Sequence, residues 1–533
     1  MTKNRIALIG AAVLYSIFTL LPYKNWLRWN NLNLEPLPNI FYSDSIYYLG
    51  KIREIIQGNY RVGNPIAYEH ALDGFSYGDS SLFYFWGTFG RIFDINTIQT
   101  YLVMITINSI FLTVSIYSLL SLTQKKKSAI FFSLLICVFL VEELGRPSPT
   151  QQLLPILIFA VTNVLTLTLR EHKISKLKLT ACRIIFSILA LILISGNPLY
   201  SLFLFLVTLV ALFLFPKSNQ FCFWWATILN TTYFLWNRVT FDEMDNLIGN
   251  RFGIHNTRIP GALSITVPLL IILIILIILL IFAKLTSKKN IIANHIDTVR
   301  TRFYLVYGLA LLFAVNSQVL TGKAYEMESH YILVWRIFFG IILSEIALLL
   351  INRVRPSHTK SIFIANLLML ILAFQLLFYI SQFRNVQTFT SPATNLLEEL
   401  NLKKYKVVLI RNDSKLNTID DDIIYHTNSY LYWHPYIVAS EITQRNISAR
   451  FACSQSRFLS FEEYKSQEGS LYFHQYANDR LKSEQLNKFL SLFGLKFKPF
   501  SYSKLLATDY NFYVQEQSFC LNGKFKFRVD KII

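Results

Sequence analysis

Long apolar runs alternate with short polar, mostly basic stretches through the first 383 residues of the chain. Ile265–Ala283 and Ile362–Phe383 contain no charged residue. Each is long enough to cross a ~30 Å hydrocarbon core, which takes roughly 20 residues. The pattern predicts about eleven membrane-spanning helices, near 6–22, 101–122, 128–144, 153–169, 183–198, 199–215, 221–237, 262–283, 303–321, 331–351 and 361–383. The two that meet at Gly196-Asn197-Pro198 are short, so that pair reads either as two crossings or as one re-entrant hairpin. The fold class is an α-helical polytopic membrane protein.

Between the spans the connections are uneven. Residues 1–383 form the multi-span domain, with a large first loop at about 24–98 and a second long loop at about 238–261. Residues 384–533 read as a separate, soluble α/β domain. In the first loop, Ile46, Leu49, Ile52 and Ile56 recur at helical spacing, with Ser43 as a candidate N-cap and Gly58 as a stop. That helix is amphipathic and follows a span, so it is expected to rest on lipid headgroups. In the tail, Ser391-Pro392 starts a helix to about Leu402, and Lys406–Ile410 reads as a strand. Ser460 and Glu463 match a capping box. Ser483 to Gly494 reads as a capped helix, and 511–515 and 524–529 read as short strands.

Composition agrees with the membrane reading: 53% of residues are hydrophobic and 16% charged, with a mean hydropathy of +0.40. Charge then sets the expected orientation. With Lys3 and Arg5 in the cytoplasm, the cytoplasmic connections carry Lys125–Lys127, Arg170–Lys178, Lys217, Lys284–Arg302 and Arg353–Lys360. The opposite loops carry most of the acids, including Asp44, Glu69, Asp73, Asp79 and Glu328. This is the positive-inside distribution, and an odd number of spans puts the tail outside the cytoplasm. The net charge of +19 follows from topology and contact with anionic lipid, and nucleic acid is not an expected partner. Of five cysteines, only Cys453 and Cys520 lie in the tail, where an oxidising compartment permits a bridge.

A first helix, a large outer loop opening on Phe41-Tyr42-Ser43-Asp44-Ser45-Ile46-Tyr47-Tyr48, many spans and a soluble outer tail resemble the GT-C superfamily of membrane glycosyltransferases. Gly58-Asn59-Tyr60, Gly63-Asn64-Pro65, the stretch Asn316–Gly322 and Glu328-Ser329-His330-Tyr331 add to the likeness. The resemblance implies transfer of sugar from a polyprenyl-phosphate carrier to a glycan, lipid or protein acceptor on the outer face, in a bacterial plasma membrane. It also implies Asp44 as general base, although Asp44 stands alone rather than in a paired acidic motif. A carboxylate that takes the acceptor's proton allows one inverting displacement, and a departing lipid phosphate asks for cations. Arg251, Arg258 and Lys323 are the candidates for that role, with interfacial anchoring as the competing reading of the two arginines.

Glu69, His70, Asp79, Gln318 and His330 complete the candidate cavity. Carboxylate and imidazole together suit several divalent ions, but Glu69, His70 and His330 show no ligand spacing, so cofactor use stays open. Without the resemblance, Asp44 reads as an acid favoured at a helix N-terminus. Two alternatives compete. An envelope oligosaccharide polymerase or ligase would centre on an outer-loop Arg or His. A flippase or transporter of lipid-linked glycan would need a polar pathway through spans that hold few charges.

Overall fold

The computed structural model describes residues 3–21, 45–60, 62–66, 68, 80–144, 146–170, 175–215, 220–251, 255–285, 298–324, 327–353, 391–411, 423–424, 427–433, 444–466, 475–497 and 503–533. Ten of the expected spans coincide with helices: α1 (Lys3–Leu20), α4 (Thr97–Leu120), α5 (Lys126–Leu144), α7 (Leu154–Arg170), α8 (Lys176–Gly196), α9 (Pro198–Leu214), α10 (Gln220–Arg251), α11 (Leu263–Leu285), α12 (Thr298–Val315) and α14 (Met327–Arg353). The eleventh, 361–383, lies outside the described residues. Helices α1, α4, α8 and α14 are long and apolar enough to cross a bilayer, and α7, α9 and α11 contain shorter apolar stretches. The chain is an integral membrane protein. At Gly196-Asn197-Pro198, the 21-residue α8 ends and the 17-residue α9 begins, with the Asn197 side chain accepting from Leu199 N and Tyr200 N.

The two ends of the bundle differ in chemistry. At one end, Glu345 of α14 accepts from Thr123 Oγ1 at 3.1 Å and pairs with Arg300 Nη1 at 3.3 Å, while Gln124 Nε2 donates to Ser344 Oγ at 2.6 Å. The basic stretches that start or end α5, α7, α8, α12 and α14 belong to this end. The other end carries the first loop and the tail.

Helix α2 (Ser45–Ile56) and α3 (Ser81–Ile92) occupy the first loop. Helix α2 stops as expected at Gly58, whose φ is +96°. Asn59 N donates to Glu54 O and Gly58 N to Ile55 O, the paired bonds of a Schellman cap. Its surroundings differ from the expectation. Rather than resting on headgroups, α2 is buried on nearly every side, Lys51, Arg53 and Glu54 included. Ile46, Leu49, Ile52 and Ile55 share one core with Phe83 and Trp86 of α3, Tyr101 and Met104 of α4, and Leu397, Val408, Ile424, Leu431 and Phe451 of the tail. The partner that covers its polar face lies more than 330 residues later in the chain, beyond the reach of a local reading.

The tail holds a three-stranded parallel sheet in the order β4 (Tyr430–Leu431), β3 (Val407–Leu409), β5 (Lys531–Ile532). Around it lie α15 (Ser391–Lys403), α16 (Gln444–Ser454), α17 (Phe461–Ser466), α18 (Gln475–Ser491) and α19 (Ser503–Leu521). The first loop joins this sheet, with Leu431 N donating to Ile66 O at 3.0 Å. Ser460 and Glu463 form the expected capping box at α17, and Cys453 and Cys520 form the disulfide, with a Cα separation of 5.2 Å.

Three tail segments differ from the sequence expectation. Residues 511–515 are helical, because Tyr513, Gln517 and Cys520 turn one helical stripe of α19 inward. The third strand comes later, at 531–532, and 524–529 is irregular. Ser483 lies inside α18, which starts at Gln475.

Candidate functional site

Where the tail meets the bundle, two loops zip together. Strand β1 (His255–Asn256), between α10 and α11, pairs antiparallel with β2 (Lys323–Ala324), between α12 and α14, and Thr257 N donates to Gly322 O at 2.9 Å. This ribbon sets Arg258 against the single-turn helix α13 (Gln318–Thr321). Arg258 Nη1 donates to the carbonyls of Val319 (3.0 Å) and Leu320 (3.2 Å), satisfying acceptors that a helix C-terminus leaves open.

Gln318, at the start of α13, is buried, and its Nε2 donates to Ile259 O at 2.9 Å. The approach of Gly261 makes room for that amide. A Cβ at residue 261 would lie 2.4 Å from Gln318 Nε2 and 3.2 Å from Gln485 Nε2. Asn316, two residues earlier, donates to Thr266 Oγ1 at 3.0 Å, so both amides face protein rather than lipid.

A cavity of about 460 Å³ opens here. Membrane-domain residues Gly261, Leu263, Gln318, Glu328 and Ser329 line it from below, and Gln485 and Lys488 of α18 line it from the tail. The Glu328 carboxylate also accepts from the Ser264 hydroxyl. One carboxylate, one ammonium, two amides and a hydroxyl around an aliphatic floor suit a neutral, hydroxyl-rich ligand.

His330 is two residues from Glu328 yet faces elsewhere. Its Nδ1 lies 2.9 Å from Thr150 Oγ1, which also accepts from Asn197 Nδ2 at 3.3 Å. These groups form a buried polar layer with the one-turn helix α6 (Pro149–Gln152), where Thr150, Gln151 and Gln152 are all buried. Gln152 donates to Arg146 O at 2.7 Å and accepts from Asn108 Nδ2.

No protein-family model matches this chain, and no curated protein does. Among solved structures it is similar to the archaeal oligosaccharyltransferase AglB of Archaeoglobus fulgidus, in complex with an inhibitory peptide and a dolichol-phosphate. That similarity has a TM-score of 0.47 at 13% identity and covers 82% of this chain. The chain spans 64% of the length of that structure.

Of the residues singled out from the sequence, Arg258 and Gln318 come together around α13, with the Lys323 backbone in the adjoining strand. His330 lies on a different face of α14 from the cavity. Arg251 ends α10. Asp44, Glu69, His70 and Asp79 lie outside the described residues, and Asp44 immediately precedes the first residue of α2 in the sequence. Among the described residues, no three His, Cys, Asp or Glu side chains gather to hold a metal. The sequence reading missed Gln485 and Lys488, contributed from the tail, and the Thr150–Gln152 layer. Two consecutive glutamines at the start of an apolar run were the available signal for that layer, since unpaired amides are costly beside lipid.

Proposed function

We propose that this chain is a membrane glycosyltransferase of the GT-C type. It would move a sugar from a polyprenyl-phosphate carrier to a lipid-linked glycan, polysaccharide or protein acceptor on the outer face of the membrane. The observation that carries this reading is the seam between bundle and tail. One buried core runs from α2 past α3 and the first turns of α4 into the tail, and a cavity between bundle and tail is lined from both parts. A lipid-borne substrate arrives along the bilayer while its sugar needs hydrogen-bonding groups above it, and such a seam meets both needs.

Two features support an outer location for that seam. The basic stretches belong to the opposite end of the bundle, as the positive-inside rule asks of a cytoplasmic end. The tail also carries a disulfide, a bond that persists in oxidising compartments.

In this reading Asp44 takes the proton of the acceptor hydroxyl as the acceptor oxygen bonds to the anomeric carbon. The bond from that carbon to the carrier phosphate breaks on the opposite side, and the electron pair leaves on the phosphate oxygen, giving inversion. Arg258, with Arg251 and Lys323, offsets the phosphate charge. Gln318 donates to and accepts from sugar hydroxyls, and the Glu328 carboxylate accepts from them.

The test is reconstitution of the purified chain in liposomes that contain a radiolabelled polyprenyl-phosphate sugar. Label appearing in an acceptor supports the proposal. Label crossing the bilayer with its sugar–phosphate bond intact would make the protein a flippase.

A further inference from the structure

Helix α18 ends in an unusual surface. Gly494, with φ +70°, closes the helix in the left-handed conformation, with Leu495 N donating to Leu490 O at 3.0 Å and Gly494 N to Ser491 O at 3.2 Å. This cap turns three large apolar side chains into solvent within four residues. Leu492 is 54% exposed, Phe493 66% and Leu495 59%. Phe489 stacks edge-on beneath Phe493, with ring centroids 5.5 Å apart. Clustered exposure of this kind marks an interaction surface.

The charged residues next to the tip in sequence have one sign. From Asn487 to Thr508 the sequence contains no Asp or Glu, but it contains Lys488, Lys496, Lys498 and Lys504. An apolar tip flanked in sequence by lysines matches the lipid interface, where apolar groups enter the acyl boundary and ammonium groups reach the phosphates.

Gln485 and Lys488 line the same cavity as Gly261, Ala262 and Leu263, where α11 begins its apolar course. Leu492 and Phe493 follow Lys488 by about one helical turn, a displacement of roughly 6–8 Å at 1.5 Å per residue. The tip therefore lies near the level at which the bundle enters the bilayer.

We infer that the α18 tip, Leu492–Lys496, inserts into the interfacial zone of the leaflet on the tail's side and is a second membrane anchor for the tail. The anchor does not depend on the reaction proposed above. By tying α18 to the lipid surface it holds Gln485 and Lys488 over the cavity.

The test uses the full chain in lipid nanodiscs, with a nitroxide on Phe493→Cys in a Cys182→Ser background. Cys137 and Cys222 are buried, and Cys453 and Cys520 are bonded to each other. Insertion predicts that dissolved oxygen reaches the label more readily than a water-soluble nickel chelate, an accessibility ratio above one. Dominant nickel access would place the tip in water and overturn the inference. Poor access to both reagents would mean that protein, such as a second copy, covers the tip, and would overturn it too.

Discussion

The Arg53 guanidinium donates to the Glu54 carboxylate at 2.6 Å, and both side chains are almost wholly removed from water. Other donors of Arg53 reach across the seam to the carbonyls of Ile424 (3.2 Å) and Ser429 (3.0 Å), and within the first loop to Pro65 O (3.1 Å). Glu54 in turn accepts from Asn59 Nδ2 at 2.8 Å and from Tyr430 OH at 3.1 Å. Neighbouring residues of one helix thus hold the first loop and the tail together.

Removing one partner of such a pair leaves a buried charge unpaired, which costs about 3–5 kcal/mol. Arg53→Met is therefore expected to lower the unfolding temperature of the full chain in detergent and to open the tail to limited proteolysis. The double variant Arg53→Met/Glu54→Leu should recover part of the loss, since it leaves no buried charge unpaired, while the carbonyls and Tyr430 OH still lose their partners. Equal instability of single and double variants would count against the pair as the joint.

The Cys453–Cys520 bridge closes a loop with a sequence separation of 67. Chain entropy gives such a closure about 4 kcal/mol. Replacing both cysteines by serine is expected to destabilise the tail by that order, measured as a lower denaturant midpoint for tail fluorescence. An unchanged midpoint would show that the core carries the stability alone.

Gly261→Ala should disturb the cavity selectively. The new Cβ would meet Gln318 Nε2 at 2.4 Å, so the amide must leave its bond to Ile259 O. Overpacking of this kind costs about 1–3 kcal/mol. Ligand affinity at the cavity is expected to fall more than global stability, and calorimetry beside a thermal melt separates the two.

Acid should loosen the start of α17. The Arg457 guanidinium, followed by the Ser460 backbone N–H and hydroxyl, holds the Glu463 carboxyl down at about 2 from the usual 4.5. A lowered carboxyl pKa adds stability that is complete above the ordinary range. That stability is lost as pH falls from about 4.5 through about 2. Protection factors of the α17 amides should fall across that window in the parent and stay flat in Glu463→Gln.

Much of the fold was legible because its signals are local. The spans announce themselves by apolar length, and the Schellman cap at Gly58, the capping box at Ser460 and the first-turn proline at Pro392 are each written within a few residues. The cysteine pair was legible by elimination within the tail. The environment of α2 was not, because Arg53 and Glu54 look like the water-facing side of an amphipathic helix until the tail's carbonyls are brought to them. Residues 511–515 misled for a related reason. Asn511-Phe512-Tyr513-Val514-Gln515 has the β-branched and aromatic content of a strand, and only packing of Tyr513 and Cys520 on α16 selects the helix. The cavity was half legible: Gln318 stood out as an amide at a span end, but Gln485 and Lys488 are ordinary surface residues in an isolated α18.

Glycosyl transfer with Asp44 as base is most directly tested by single-turnover transfer from a polyprenyl-phosphate sugar, comparing the parent with Asp44→Asn in the same liposomes. Asparagine keeps the size and capping capacity of aspartate but takes no proton. If Asp44 is the base, the rate should fall about 10²–10⁴-fold while donor affinity changes little. Asparagine caps a helix as well as aspartate does, so a variant that transfers at nearly the parent rate would reduce Asp44 to a helix cap and contradict the mechanism.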